Sequence, residues 1–271
     1  MPEALIAGHP TAWRVWERGG ARRVLALHCS LGHSGMWSGL AERLTGVSVT
    51  APDLPGHGKS GDWDGREDFH ALSARVATSI AELAGTGEPV DLIGHSFGAT
   101  VALRIALERP DLVRSLVLVE PVIFAAAKDD PTYAPLLSEH RTVALLIANG
   151  DRAKAAALFH ARWGTGEAFA DLSARQQGAI IARIHLIAAQ NDVLLDDTAG
   201  LLRPGGLEAI RVPVLMIEGG DSPPIIHAVQ AALCARLPLV TRLIVQGAEH
   251  MVPITHPGDV ARSVQMHLDA S

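Results

Sequence analysis

Cysteine is almost absent: two of 271 residues, Cys29 and Cys234. One falls at a strand end and the other in a helical stretch. A disulfide framework is therefore excluded, and two free thiols in a reducing compartment are expected. No His-Glu-x-x-His and no Cys-x-x-Cys occurs, and the 13 histidines are scattered, so no metal site is read. Cationic residues are in deficit, with 23 Lys and Arg against 29 Asp and Glu and a net charge of −6. That balance argues against a nucleic-acid partner or an anionic membrane surface. No apolar run approaches the roughly 20 residues needed to cross a bilayer. Met1 to Pro10 lacks the basic-then-apolar order of a signal peptide, so a cytoplasmic protein with no membrane attachment is expected. The phosphate-loop spacing is also missing. In Asp53-Leu-Pro-Gly-His-Gly-Lys-Ser60 only one residue separates the two glycines, and the segment reads as a structural turn. There is no internal repeat and no low-complexity tract, and nothing calls for a cofactor.

What is present is a regular alternation. Hydrophobic residues make up 48% of the chain, which excludes a disordered polymer. Thr11 to Arg18 reads as an early antiparallel strand with Gly19-Gly20 as its turn. Val24–Leu27, Val47–Ala51, Val90–Ile93, Ser115–Val119, Val212–Ile217 and Thr241–Val245 read as short strands, most of them buried apolar runs. Gly39–Leu44, Phe69–Leu83, Ala99–Leu107 and a last helix from about Pro257 read as helices. In Phe69–Leu83 the apolar residues Leu72, Val76, Ile80 and Leu83 share one face. Buried strands alternating with amphipathic helices indicate an α/β fold with a mostly parallel twisted sheet. Ligands of such sheets bind beyond the carboxyl ends of the strands. Residues 122–206 break the rhythm. Val143–Ile147, Ala155–Phe159 and Ile180–Leu186 all read as helical, so a helical cap over the strand ends is expected. Residues 1–121 and 207–271 then form the core domain.

Chemistry concentrates at one turn. Val90–Ile93 runs into Gly94-His-Ser-Phe-Gly98 and then into a helix. Strand, five-residue turn and helix is the setting in which Gly-x-Ser-x-Gly forms a nucleophile elbow, with Ser96 at its tip. A serine hydroxyl needs a base, and His250 follows the last strand, where a loop can bring an imidazole over it. The base needs a carboxylate. Glu120, after the strand ending at Val119, and Asp221, after the strand ending at Ile217, both stand where a loop reaches the histidine. An apolar acyl pocket is expected from Trp37, Phe124, Phe159, Trp163, Phe169 and Met251.

The order of His28 after the first buried strand, Asp53-Leu-Pro-Gly-His-Gly-Lys-Ser60, Gly-His-Ser-Phe-Gly, a cap, and Gly-Ala-Glu-His250 resembles the α/β-hydrolase superfamily. The resemblance covers Val24 to His267 apart from the cap. It implies the α/β-hydrolase fold, a cap inserted after the strand following the elbow, and a Ser-His-acid triad. It also implies an oxyanion hole from the amide of Phe97 and an amide of the loop at His28-Cys29-Ser30, assigned to Ser30. His28 is placed among the substrate contacts with Trp37, Phe124, Trp163 and Met251. Most relatives read Gly-x-x-Asp-Pro after the penultimate strand; here Gly219-Gly-Asp-Ser-Pro223 puts Ser222 in the acid's place and Asp221 one residue early. One branch of the haloalkane dehalogenases carries its acid one strand after the elbow, and Val-Glu120-Pro resembles that arrangement. Glu120 is therefore taken as the acid, with Asp221 the alternative. The activity this implies is hydrolysis of a small or medium carboxylic ester or lactone. Carbon–carbon bond hydrolases, cofactor-free haloperoxidases and ligand-binding receptors share the scaffold and stand as alternatives. A haloalkane dehalogenase itself would need an aspartate at position 96.

Overall fold

A computed structural model describes residues 1–271. The first strand, β1 (Glu3–Ile6), pairs antiparallel with the start of β2 (His9–Leu27). β2 reverses at Gly19-Gly20 and clasps β3 (Val47–Pro52) between its two halves. The pairs from Trp13–Pro52 to Arg18–Val47 run in opposite directions, whereas those from Arg22–Val47 to Leu25–Thr50 ascend together. The reversal needs glycine at position 20, because a Cβ there would lie 1.8 Å from the Gly46 carbonyl oxygen. The second half of β2 then pairs in parallel with β4 (Val90–His95), followed across the sheet by β5 (Val113–Val119), β6 (Val214–Gly219) and β7 (Val240–Val245).

The strands alternate their side chains between two covered faces. Leu25, Leu92, Leu116, Leu118 and Met216 face the layer that includes α2 (Phe69–Gly85), α3 (Phe97–Glu108) and α9 (Pro224–Cys234). Val24, Ala26, Ile93, Val117 and Ile217 face α1 (Ser38–Ala41) and α11 (Pro257–Ala270). Burial on both sides explains why β4 and β5 read as continuous apolar runs. β7 departs from that expectation. It is the sheet's edge, and Ile244 is exposed. β6 begins at Val214 rather than at Val212; Pro213 at its threshold has no N–H to give to the ladder.

Residues 122–206 contain helices only: α4 (Tyr133–Ala148), α5 (Arg152–Trp163), α6 (Ala174–Arg183), α7 (His185–Ala188) and α8 (Asn191–Asp196), with short 3₁₀ turns. They enclose a small core of their own around Val143, Ala155, Ile184 and Ile187. The stretch expected as one helix over Ile180–Leu186 is divided between α6 and α7 at Ile184. No helix is long and apolar enough to cross a membrane.

Candidate active site

The turn after β4 is strained at one residue. Ser96 has φ 55° and ψ −117°, a conformation that costs a non-glycine residue about 1–3 kcal/mol and persists only where its surroundings enforce it. The enforcement is visible. A Cβ on Gly94 would lie 2.4 Å from the Gly98 carbonyl oxygen, and one on Gly98 would lie 2.3 Å from that of Leu27. The Ser96 amide donates to the Val119 carbonyl at 2.9 Å, tying the turn to β5. Its hydroxyl is left at the carboxyl end of the sheet, beside the N-terminus of α3.

His250 lies in the turn between β7 and α10 (Val252–Thr255). Its Nε2 stands 3.0 Å from Ser96 Oγ. Its backbone is held by the neighbouring elbow residue: His95 Nε2–H donates to the His250 carbonyl at 2.9 Å. Burial, and then the proximity of His250, push the His95 imidazole well below its ordinary value, so it is a neutral strut.

Glu120 ends β5 in a left-handed conformation, φ 47°. Its amide donates to the Ile217 carbonyl at 2.9 Å, and its side chain is wholly buried. Oε2 meets His250 Nδ1 at 2.5 Å. Oε1 accepts from the Gly219 amide at 2.6 Å and from Ser222 Oγ at 2.5 Å. Burying a carboxylate is costly unless it is hydrogen-bonded, and these contacts supply the partners. The geometry fixes the imidazole with its proton on Nδ1 and its lone pair toward Ser96.

Asp221, the alternative acid, is elsewhere. Its side chain is exposed in a surface groove with Glu139, Arg162 and Glu249, and it makes no hydrogen bond to His250. The position where relatives carry the acid is filled by Ser222, which supports Glu120. Sequence reasoning passed over Ser222 and Gly219. The signal was the serine in the acid's own place, since a side chain there faces the same spot.

The amide of Ser30 has no acceptor within the chain. That of Phe97 is the first of α3, where helical amides lack an intrahelical partner and the dipole favours negative charge. Ser30 Oγ donates to Gln190 Oε1 at 2.7 Å, which anchors this loop to residues 122–206. Cys29 is buried, and burial pushes its thiol up to about 12, so it stays protonated and unreactive.

The expected pocket wall is brought together only in part. The cavity over Ser96 and His250 is lined by Ser30, Val122, Phe124, His140, Phe159 and Trp163, and by Ile187, Gln190 and Leu194. It is narrow, with room for roughly one water. The Trp163 ring stands edge-on to His250, 4.7 Å between centroids. His28, Trp37 and Met251 are not in this wall, which corrects the expectation. Trp37 is buried under the opposite face of the sheet. Met251 lines a separate surface hollow. His28 is spent on backbone: Nδ1–H donates to the Cys29 carbonyl at 2.8 Å, and Nε2 accepts from the Leu54 amide at 2.9 Å. Burial lowers it to about 4, and it is neutral. His57 ties the same two loops, accepting from the Leu31 amide at 3.0 Å. Asp53 accepts from the Ser34 and Lys59 amides, so the glycine-rich segment is a brace. Phe169 packs within the helical segment. His140, on α4, and Gln190, in the turn before α8, are both unforeseen, and neither segment carries a motif.

These features belong together in one family. The family model described as alpha/beta hydrolase fold matches residues 22–257, and the chain is a member of that family. Lipase LipV of Mycobacterium tuberculosis is 39% identical over 108 residues, 38% of this chain and 39% of that protein. The alignment thus spans well under half of that relative's length. A pimeloyl-[acyl-carrier protein] methyl ester esterase of Yersinia pestis is 26% identical over 250 residues, 86% of this chain and 87% of that protein. Among solved structures, an alpha/beta hydrolase from Sphaerobacter thermophilus superposes with a TM-score of 0.75 at 22% identity. It covers 98% of this chain and 100% of that one. At that identity the likeness speaks for the fold.

Proposed function

We propose that this protein is a serine hydrolase that cleaves a small or medium carboxylic ester or lactone through an acyl-enzyme, with residues 122–206 as its cap. The observation that carries the reading is the hydrogen-bonded series Ser96–His250–Glu120; the acceptor-free Ser30 amide and the first amide of α3, Phe97, are available beside it. The names of two relatives, a lipase and a methyl ester esterase, support the same chemistry.

Ser96 Oγ attacks the substrate carbonyl as His250 Nε2 takes its proton. The carbonyl oxygen becomes an oxyanion, which the Ser30 and Phe97 amides receive as a preorganised pair of donors. Glu120 stabilises the imidazolium across Nδ1–H. His250 then protonates the leaving alcohol, leaving the acyl group on Ser96. In the second half water takes the alcohol's place: its oxygen attacks the acyl carbon as His250 takes its proton, the bond to Ser96 Oγ breaks as His250 returns a proton to that oxygen, and the carboxylic acid leaves.

The test is turnover of p-nitrophenyl acetate and butyrate by the native protein and by Ser96→Ala. Loss of about 10⁴-fold or more is expected, the scale seen when a nucleophile is removed from such a triad. Undiminished turnover by the variant would remove Ser96 from the mechanism. A fluorophosphonate probe adds a check independent of substrate choice: it should label the native protein at Ser96.

A further inference from the structure

The cavity over Ser96 is mostly hydrocarbon and aromatic, yet two of its lining residues each carry a polar atom with no partner. His140 Nε2 and Gln190 Nε2 are both buried and make no hydrogen bond. Their residues are 6% and 1% exposed. Leaving such groups dry is costly, and native structures rarely do so without a reason. Neither is accidental in orientation, because the other end of each side chain is already committed. His140 Nδ1 lies 3.0 Å from Asn191 Oδ1 and must donate to it, as a carbonyl oxygen only accepts. Gln190 Oε1 accepts from Ser30 Oγ at 2.7 Å.

Those commitments settle what the free ends offer. Burial lowers the His140 imidazole below its ordinary value, so the ring is neutral and carries its single proton on Nδ1. Its Nε2 is therefore a bare acceptor. Gln190 Nε2 is an amide donor. Gln190 and Asn191 are adjacent in the chain, so the hydrogen bonds of both side chains belong to one corner of the wall. One acceptor and one donor in an apolar cavity match a group that both donates and accepts through a single oxygen.

We infer that the substrate carries a free hydroxyl group beside its ester, and that His140 and Gln190 form the pair that recognises it. The hydroxyl donates to His140 Nε2 and accepts from Gln190 Nε2. The inference rests on the ester-hydrolase reading and narrows its substrate class to hydroxy-esters, with the hydroxyl on either the acyl or the alcohol side. A site built to bind a hydroxyl rejects the analogue that lacks it, because its own polar atoms are then left unpaired. The same pair explains why a closed apolar cap tolerates two amphipathic side chains at its centre.

The experiment compares kcat/KM within two shape-matched pairs. Ethyl 3-hydroxybutyrate against ethyl 3-methylbutyrate places the hydroxyl on the acyl side. 2-Hydroxyethyl butyrate against propyl butyrate places it on the alcohol side. The native enzyme should favour the hydroxyl member of one pair by at least about tenfold. In His140→Phe and Gln190→Leu that ratio should fall to within about twofold of unity. Equal or faster turnover of the plain member in both pairs overturns the inference, as it would if a water satisfied the two side chains. A preference that survives both substitutions also overturns it. If either variant fails to fold, the native ratios alone decide. Turnover of p-nitrophenyl esters and probe labelling of Ser96 without hydroxyl preference would sink this inference and leave the ester-hydrolase reading standing. No turnover and no labelling would sink that reading, and this one with it.

Discussion

A serine with φ 55° and a glutamate with φ 47° end adjacent parallel strands. Both are held in a region that side chains rarely adopt, and both bear on the same histidine. Strain at two neighbouring strand ends is the mark of a built site rather than of ordinary turns. Glu120 and Asp221 are separated by burial and partners. The first is enclosed and accepts three hydrogen bonds; the second faces solvent. Glu120→Gln should therefore lower kcat about 10³- to 10⁴-fold, because an amide cannot hold the imidazole in the required tautomer with compensating charge. Asp221→Asn should stay within about twofold of native. Rates with p-nitrophenyl butyrate check both, and the opposite ranking would transfer the acid's role to Asp221. The two candidates were legible in the sequence because acids at strand ends are few. The preference for Glu120 was legible through the displaced aspartate and through the resemblance of Val-Glu120-Pro to relatives that carry the acid one strand after the elbow. Ser222 left only an indirect sign, a serine in the acid's own place; that it donates to a residue 102 positions away is not written in one dimension.

Helix α5 ends at Trp163, whose indole closes the space above His250. With Phe124 and Phe159 it leaves little room over Ser96. Under the ester-hydrolase reading a substrate enters only if these rings yield, a role the proposed cap would fill as both wall and gate. Trp163→Ala should raise the rate with p-nitrophenyl octanoate relative to acetate by about tenfold, since it removes bulk where a long acyl chain must lie. A ratio that does not change would place the acyl chain on another side of the cavity. The two-sided strands and the Phe69–Leu83 helix announce themselves by periodicity. The pocket wall does not. Trp37 and Met251 are aromatic and sulfur-bearing residues near motif loops, a composition equally suited to core or surface. His28 sits in a motif loop, yet its ring is consumed by the backbone it braces.

Across the whole molecule, buried histidines join segments: His28, His57 and His95 hold loops at the top of the sheet, and His70 on α2 meets Thr100 of α3 at 3.1 Å. His28 is lowered to about 4 and His70 to about 3, in each case chiefly by burial, and His57 and His95 lie well below the ordinary value for the same first reason. Each holds its proton less tightly folded than unfolded. Between the folded values and about pH 6.5 the unfolded chain binds more protons, so stability is fully present above about 6.5 and falls as pH drops. His28 and His70 alone should each cost roughly 1 kcal/mol per pH unit below that point. Melting temperatures at pH 7.5 and 5.5 test this. A clear drop at the lower pH is expected, and a flat profile would mean that these rings are protonated without penalty. The sequence by itself determined the sheet, its helices, the elbow serine and the histidine that meets it. Periodicity and tight-turn glycines act over neighbouring residues and leave a local record. Only the tertiary structure decided which acid reaches the imidazole, which rings wall the cavity and which polar atoms stay unpaired within it. Those are matters of distance between segments far apart in the chain, set by how the helical segment lies over the strand ends.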